Sequence, residues 1–399
     1  MTNKKFIWLQ HNNNLSYNDE GCYLNEKKIN NTDQNSEESA NSRQKAFSSQ
    51  KALYNSFFKK TFKNVVVLTA AGTSIDNGGK SREQLWEYCT NEIEKITNEI
   101  KDLNEKDFCI NKDIEALLSH IILYEKLNGE IKDNEEKILR KELEKRIVEA
   151  CNLKIKKGDE THQEFLNKIT ARKLSDPRVK LFTLNYDLLF EQAANNAGFT
   201  IIDGFSFSHP RTFSGKYFDL DIVNREKTRI KNEESFESKV FHLYKMHGSL
   251  NWHKNGDKIE QKENPKDPLI IYPANEKYES SYEQPYFEMM SRFQQALRKE
   301  NTLLIVIGFG FGDKHIQNVI NEAVEQNSSF QLVVLKNKRT DGDGIKFEYF
   351  TQFFDKENNI KRNVTIIYDS FKDFVEKYPS NNTYLDREDK GDGGSNEAF

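Results

Sequence analysis

The sequence predicts an α/β fold in which a doubly wound, mostly parallel sheet carries a large helical insertion. Short apolar runs rich in β-branched residues recur along the chain, as expected of strands that are covered on both faces. Helical patterns lie between several of these runs, which is the alternation of a parallel sheet. The proline-free stretch over residues 84–173 is too long for a simple crossover, so it predicts a helical subdomain.

Composition sets broad limits on function. The chain has 399 residues, of which 31% are charged and 36% hydrophobic, enough for a large single domain or two smaller ones. The formal net charge of −4 gives no electrostatic reason to expect non-specific nucleic-acid binding. We expect a cytoplasmic protein, because the N-terminus lacks a signal-peptide pattern and no segment approaches the ~20 apolar residues that span a bilayer.

The cysteines argue against a zinc ribbon or a redox motif. They stand far apart, at Cys22, Cys89, Cys109 and Cys151, and form no C-x-x-C pair. Both kinds of site use such closely spaced pairs. We therefore expect reduced thiols, with a disulfide framework as the alternative.

The first 43 residues are predicted to form a flexible N-terminal arm. They are rich in Asn, Ser, Glu and Lys, a composition that buries little apolar surface. Apolar islands at residues 6–9 and 21–24 could each form a strand and dock on a neighbouring subunit; a partly ordered tail is the alternative. Helix-like apolar spacing over residues 44–61 then predicts a helix.

A small polar turn follows the first strand of the predicted sheet. Asn64–Thr69 is an unbroken β-branched run, and residues 70–74 read Ala-Ala-Gly-Thr-Ser. A strand, a tight turn of small residues and a polar helix start form the plan of a phosphate-binding loop. Backbone N–H groups and the hydroxyls of Thr73 and Ser74 could donate to a pyrophosphate.

Further strands, helices and loops follow the helical block. Strands are predicted at residues 179–184, 200–202, 240–246, 303–307, 332–335 and 364–367. Helices are predicted at residues 188–197 and 316–325. Residues 205–237 and 252–281 are rich in Gly, Pro, Asn and aromatic residues, which suits a lid or an assembly surface. Residues 380–399 are predicted to be a disordered tail.

Polar residues stand where several predicted strands end. In open α/β sheets, ligands bind at the carboxyl ends of the strands, so these residues can converge on one ligand. Asn185 can orient a water through its amide, and His247 can deprotonate a water or a hydroxyl because histidine titrates near neutral pH. The candidates at strand ends are Gly72, Thr73, Ser74, Asn185, Asp187, His247, Gly308 and Gly310.

Other chemically capable residues favour structural roles. His242 and His247 lie five apart on a predicted strand and point to opposite faces, so joint metal ligation with His253 is not expected. Asp313 and His315 could be catalytic, but such residues more often begin a helix as a cap. The chain has no G-x-S-x-G motif, and its Gly79-Lys80-Ser81 is not part of a complete G-x-x-x-x-G-K-[ST] phosphate loop because Ser74 stands in place of the first glycine. Both absences disfavour serine hydrolases and ATPases.

The ordered motifs resemble those of the sirtuin family. That family has a G-A-G-x-S phosphate loop, a Q-N-I-D strand end, an H-G strand end and a late glycine-rich turn. Residues 70–74, 184–187, 247–248 and 308–312 are similar to these in order. The resemblance covers roughly residues 62–370, and we assign residues 44–379 to one sirtuin-like Rossmann domain with its insertion at 84–173.

The resemblance implies a role for each residue near the nicotinamide end of NAD. Gly72 and Ser74, with Thr73 between them, match the loop that holds the pyrophosphate. Asn185 matches the Asn beside the nicotinamide ribose, and Asp187 the Asp that holds the carboxamide. His247 matches the catalytic base. Gly308 and Gly310 of the late glycine-rich turn are further NAD-binding candidates, and Asn337 and Asp369 loosely match the contacts on the adenosine side.

Departures from the family pattern narrow the resemblance. The protein deacylases of the family carry two C-x-x-C pairs that bind zinc, and this chain has none. Residues 77–82 replace the family's G-I-P-D-F-R flap, and Ala70 replaces the first glycine of the phosphate loop. A zinc-free chain with a long helical insertion resembles the sirtuin-like NADases of bacterial antiphage defence. By its length it is similar to the subunit that pairs with a HerA-like hexameric ATPase.

The resemblance implies an NAD glycohydrolase that uses NAD as substrate and needs no zinc. It would release nicotinamide and ADP-ribose, and so deplete cellular NAD during phage infection. Two alternatives stay open: a module that senses NAD or ADP-ribose without cutting it, and an NAD-dependent protein deacylase. As partners we expect further copies of the chain and a HerA-like hexameric ATPase. We expect no membrane contact, and nucleic-acid contact only through the ATPase.

Overall fold

An eleven-stranded sheet forms the centre of the described part of the chain. The computed structural model describes residues 4–29, 38–90, 112–130, 139–224, 236–270, 284–337, 348–357 and 359–381. Helices cover both faces of the sheet, so the fold is α/β and Rossmann-like, as the sequence predicts. Several predictions lie outside the described residues: the tail from residue 382, residues 30–37 of the arm, 91–111 and 131–138 of the insertion, and 225–235 and 271–283 of the loops.

The sheet combines a parallel core with an antiparallel extension. Its strands are β1 Lys5–Gln10, β2 Leu15–Asn18, β3 Gly21–Leu24, β4 Lys27–Lys28, β5 Asn64–Thr69, β6 Lys180–Thr183, β7 Thr200–Ile202, β8 Val240–Lys245, β11 Thr302–Ile307, β12 Phe330–Leu335 and β13 Val364–Ile367. They lie in the order β4-β3-β2-β1-β13-β12-β11-β5-β6-β8-β7. In this spatial order, all neighbouring strands from β13 to β7 are parallel. The neighbouring strands from β4 to β13, including the β1–β13 pair, are antiparallel. A separate hairpin joins β9 Trp252–Asn255 to β10 Lys258–Gln261.

The helices of the described residues divide between the two faces of the sheet and a separate helical cluster. They are α1 Glu38–Phe58, α2 Arg82–Thr90, α3 Ile114–Asn128, α4 Leu139–Cys151, α5 Thr161–Thr170, α6 Leu189–Asn196, α7 Tyr286–Leu297, α8 Lys314–Gln326 and α9 Phe371–Lys377. Short 3₁₀ helices occur at Ala71–Thr73, Ile75–Asn77, Gly215–Asp219 and Glu348–Phe353. None of the helices in these described ranges is long and apolar enough to cross a membrane.

Alternating side chains of the central strands fill two separate cores. Val66 and Leu68 of β5 pack on the face covered by α7 and α8. Val65 and Val67 pack on the opposite face, which α1, α5, α6 and α9 cover. Successive residues of a strand point to opposite faces, so burial of both sets explains why these strands read as unbroken apolar runs.

The connection between strands reverses direction at the centre of the sheet. From β5 the chain passes to β6 and then to β7 at the edge of the sheet, returns to insert β8 between them, and later crosses to place β11 on the other side of β5. Such a reversal opens a crevice at the carboxyl ends of the two strands that flank it, and ligands bind there in open α/β sheets. The crevice therefore lies between the ends of β5 and β11.

The N-terminal arm differs from its sequence prediction. Residues 1–43 were expected to be a flexible arm in which residues 6–9 and 21–24 could each form a strand, yet residues 5–28 form four strands that extend the sheet beyond β13. Trp8 faces Ile367 across the β1–β13 pair, and Trp8 and Leu15 are fully buried. The mean composition is polar, but these few large apolar side chains dock on an existing core, which the composition of the arm alone does not reveal.

The helical insertion is smaller than the predicted block. Helices α2, α3 and α4 form an apolar cluster of their own through residues such as Cys89, Leu118 and Leu143. Helix α5, in contrast, buries Phe165 and Leu166 against the face of the sheet. The sequence pattern is helical throughout, so it does not show where the insertion ends and the sheet layer resumes.

Candidate active site

The turn after β5 meets the turn after β11 in direct backbone contact. Ala70 N–H donates to Ile307 O at 3.0 Å, and Gly72 N–H donates to Gly308 O at 3.3 Å. A Cβ atom at Gly72 would lie 2.4 Å from the Gly308 Cα, and Gly308 has a φ of 71°. Only glycine fits such an approach, so these two glycines close the floor of the crevice at the sheet reversal.

The side chain of Asn185 is tied to the β5 turn. Its Nδ2 donates toward Ala70 O at 3.1 Å, Thr73 Oγ1 at 3.2 Å and Ser74 Oγ at 2.9 Å. These contacts use the amide nitrogen, so Oδ1 is the atom of Asn185 that can accept a hydrogen bond from a substrate or a water. The structure thereby fixes the orientation of the amide and connects β6 with the β5 turn.

The hydroxyls of the β5 turn both donate to protein atoms. Thr73 Oγ1 donates to Ala70 O at 2.9 Å, and Ser74 Oγ donates to Asp187 Oδ2 at 2.6 Å. Each hydroxyl has one hydrogen to donate, and both hydrogens are directed to protein acceptors in this structure; the contact with a pyrophosphate stays a prediction. Both hydroxyls position Asn185 and Asp187, a role that depends on contacts more than 100 residues apart in sequence.

Asp187 is a buried residue that holds its own loop in place. Its Oδ1 accepts from Leu189 N–H at 3.1 Å at the start of α6, while Oδ2 accepts from Ser74. The Lys245 ammonium donates to the backbone carbonyls of Tyr186 and Asp187 and to Glu191 Oε1 at 3.0 Å. The loop that carries Asn185 is therefore fixed from the β5 side and from the β8 side.

His247 pairs with a carboxylate that follows β11. Its Nε2 lies 3.2 Å from Asp313 Oδ2, and the two side chains are 5% and 7% exposed. Gly248 has a φ of 86°, and a Cβ there would lie 2.2 Å from Leu269 O. Glycine at 248 therefore lets the chain turn away directly after the histidine.

Asn185 and His247 occupy equivalent places on adjacent strands. Thr183 of β6 pairs in parallel register with Lys245 of β8, and neighbouring strands lie about 4.8 Å apart. Asn185 and His247 each follow this pair by two residues. Leu250 N–H also donates to Tyr186 O at 3.1 Å, so the two loops stay joined beyond the strands.

The glycine-rich turn after β11 offers open space at one position. Whereas Gly308 is packed against Gly72, a Cβ atom at Gly310 would meet no atom within 4 Å among the described residues. Phe309 and Phe311 flank this residue with ring centroids 4.8 Å apart. The turn can accommodate a ligand at Gly310 without displacing protein atoms.

Asp369 lies apart from this crevice. It follows β13, which is separated from β11 by β12, and its carboxylate accepts from Gln50 Nε2 at 3.1 Å, Tyr54 Oη at 2.6 Å and Lys377 Nζ at 2.6 Å. Burial raises the pKa of this carboxyl, although the nearby Lys377 opposes the change. The predicted contact of Asp369 with adenosine is therefore wrong, because α1 and α9 already enclose the carboxylate.

Asn337 stands at the edge expected of an adenosine contact. It follows β12 by two residues and is exposed. Because β12 is next to β11, Asn337 lies one strand away from the glycine-rich turn. Its predicted contact with NAD stays a prediction.

The helical cluster covers the loop that carries Asn185. Tyr186 and Leu250 are buried together with residues of α2, α3 and α4. Tyr186 lies between Asn185 and Asp187 in the sequence, so a movement of these helices would move the loop. Among the described residues, no group of three or more His, Cys, Asp or Glu side chains is placed to hold a metal ion.

Two residues of the site have roles that the motifs did not assign. Lys245 anchors the Asn185 loop, and a lysine at the end of a largely apolar strand was the available signal. Asp313 was expected mainly as a helix cap, with a catalytic role as the alternative, and its pairing with His247 spans 66 residues. No local pattern could reveal that second contact.

A family model for the SIR2-like domain matches residues 179–360 of this chain. The match includes Asn185, His247 and the glycine-rich turn, and it leaves out the β5 turn and Asp369. It covers just under half of the chain and, with the Rossmann-like fold, supports a sirtuin-like family. Since SIR2-like domains are NAD-dependent enzymes, the match indicates an NAD-related activity. Among curated proteins, none matches this chain.

Proposed function

We propose that this chain is an NAD glycohydrolase that converts NAD and water to nicotinamide and ADP-ribose. The observation that carries the proposal is the placement of Asn185 and His247 at the ends of adjacent strands, beside the crevice at the sheet reversal. An amide oxygen and a histidine at one sheet edge can orient and deprotonate a water.

The proposed reaction replaces one bond at C1′ of the nicotinamide ribose. The bond to the pyridinium nitrogen breaks with its electron pair, so nicotinamide leaves as a neutral molecule. Water forms the new C1′–O bond, and its proton passes to His247 and then to solvent. Asn185 Oδ1 accepts a hydrogen bond from the attacking water, while the Asn185 nitrogen stays bound to the β5 turn.

Nicotinamide release tests the proposal directly. We expect Asn185→Ala and His247→Ala each to lower kcat by about 10²- to 10⁴-fold, because each removes a group that acts on the water. Asn255→Ala and His253→Ala, both on the separate hairpin, are matched controls that should keep wild-type rates. A wild-type protein that consumes no NAD under any activating condition would overturn the proposal.

A sensing module is the second candidate function. The burial of Tyr186 against the helical cluster gives a route by which a ligand at the crevice could change a neighbouring surface. Tight NAD or ADP-ribose binding without turnover, unchanged in His247→Ala, would favour sensing. Release of acetyl groups from a peptide would instead favour a deacylase, the third reading of the sequence.

We further propose that NAD loss serves antiphage defence, in a homo-oligomer that associates with a HerA-like hexameric ATPase. Support comes from the resemblance in the sequence: a zinc-free chain of 399 residues with a helical insertion. The molar mass of the chain, measured alone and after co-expression with its genomic neighbour, tests the assembly. A chain that stays monomeric in both preparations would contradict it.

A further inference from the structure

Asp313 combines two contacts in one buried carboxylate. Its Oδ1 caps α8 by accepting from His315 N–H at 2.9 Å and Ile316 N–H at 3.2 Å. Its Oδ2 lies 3.2 Å from His247 Nε2. Since α8 begins at Lys314, the helix holds the carboxylate in a fixed place opposite the histidine.

The surroundings of Asp313 favour its ionised form. Burial opposes ionisation, but the hydrogen bond and charge of His247, with the N–H groups of Ile316 and His315, hold the pKa of the carboxyl below its usual value. The start of a helix also stabilises a negative charge. An ionised carboxylate only accepts hydrogen bonds, so the nitrogen of His247 that faces it must carry the hydrogen.

We propose that Asp313 is a positioning residue that fixes His247 in the tautomer with hydrogen on Nε2, leaving Nδ1 to take the proton from water. The proposal rests on the proposed function for its catalytic consequence. Asp313 does not touch the reacting atoms. It orients the imidazole ring and stabilises the imidazolium that forms when Nδ1 is protonated.

A helix cap alone would need no charge at residue 313. Asn and Asp are nearly equal as N-caps, so Asp313→Asn keeps the cap while it removes the negative charge. An Asn side chain can also donate to Nε2, which would force the hydrogen onto Nδ1. Asp113 caps α3 through Ala116 N–H at 3.0 Å, so Asp113→Asn makes the same chemical change at a cap that is remote in sequence from the His–Asp pair.

Steady-state kinetics separates positioning from capping. For Asp313→Asn we expect kcat to fall by about 10³- to 10⁴-fold, with the KM for NAD and the Tm close to wild type. Asp113→Asn should leave all three values unchanged. An Asp313→Asn variant that folds normally and keeps the wild-type kcat would overturn the proposal.

The tautomer of His247 gives a test that needs no activity. Nitrogen-15 chemical shifts of the imidazole, assigned by comparison with His247→Ala, should show hydrogen on Nε2 in the wild type and a different state in Asp313→Asn. Hydrogen on Nδ1 in the wild type would refute the inference, even if the variant failed to fold. A wild type with the expected tautomer but no NAD turnover would uphold the pair and reject the glycohydrolase.

Discussion

Two buried aspartates follow strands of the same sheet, and their surroundings differ in kind. Asp369, after β13, is enclosed by Gln50, Tyr54 and Lys377. Asp313, after β11, shares its carboxylate between a helix start and His247. A carboxylate whose partners all come from the scaffold stabilises the fold. A carboxylate paired with a histidine leaves the second ring nitrogen for chemistry, so burial alone does not distinguish the two roles.

Asp369→Ala is expected to cause the largest decrease in the free energy of unfolding relative to wild type. Removing the Asp369 carboxylate leaves the buried donors of Gln50 and Tyr54 without this acceptor, at about 1–3 kcal/mol for each unpaired donor. Lys377 would lose its carboxylate, and α1 would lose the contacts of Gln50 and Tyr54. Urea unfolding should show this loss, while kcat per folded molecule stays at the wild-type value. Unchanged stability with a raised KM for NAD would instead restore the adenosine contact that the sequence predicts.

The buried histidine His242, which lies on the strand before His247, extends the comparison of buried groups to the effect of pH on stability. His242 is buried beside Phe218, and Nδ1 lies 3.2 Å from Tyr244 Oη. Burial, with the charges of Lys180, Arg178 and Arg292 against that of Asp221, lowers the pKa of His242 to about 4 from 6.5. Between these values the unfolded chain binds the proton and the folded chain does not, so stability falls as pH decreases.

Replacing His242 should flatten this pH dependence. An Asn side chain can either donate a hydrogen bond to Tyr244 Oη or accept one from it. Because Asn does not titrate, we expect the free energy of unfolding of His242→Asn to fall by about 2 to 3 kcal/mol less than that of wild type between pH 7 and pH 4.5. Urea unfolding across that range provides the measurement. Parallel curves for the two proteins would show that His242 does not remain neutral in the fold.

The smallest expected loss of stability concerns Gly308, which is compared with Gly310 of the same turn. In Gly308→Ala the new Cβ would lie 2.5 Å from Gly72 Cα, so the two turns must separate at a cost of about 1–3 kcal/mol. Gly310→Ala is the matched control, because its Cβ would meet nothing within 4 Å in the described part of the chain. Thermal unfolding compares them. Equal Tm values would mean that the turns are not in contact.

The sequence predicted the central strands well because each is an unbroken apolar run. Strands at residues 6–9 and 21–24 were considered, but a four-stranded extension of the sheet was not predicted, because Trp8 and Leu15 are buried in a core to which α1 and β13 contribute. For the site, the order of the motifs along the sequence predicted that Asn185 and His247 lie at the same edge of the sheet. The contacts of Thr73 with Asn185, of Ser74 with Asp187 and of Asp369 with α1 each join residues more than 100 positions apart in the chain. Local patterns carry no information on such contacts.

Nicotinamide release by the purified chain, alone and with its partner, tests the central claim most directly. The account predicts that NAD is converted to nicotinamide and ADP-ribose in equal amounts. It also predicts that His247→Ala lowers kcat by about 10²- to 10⁴-fold while its Tm stays within a few degrees of wild type. Nicotinamide release at the wild-type rate by a folded His247→Ala protein would contradict the assignment of this strand end as the active site.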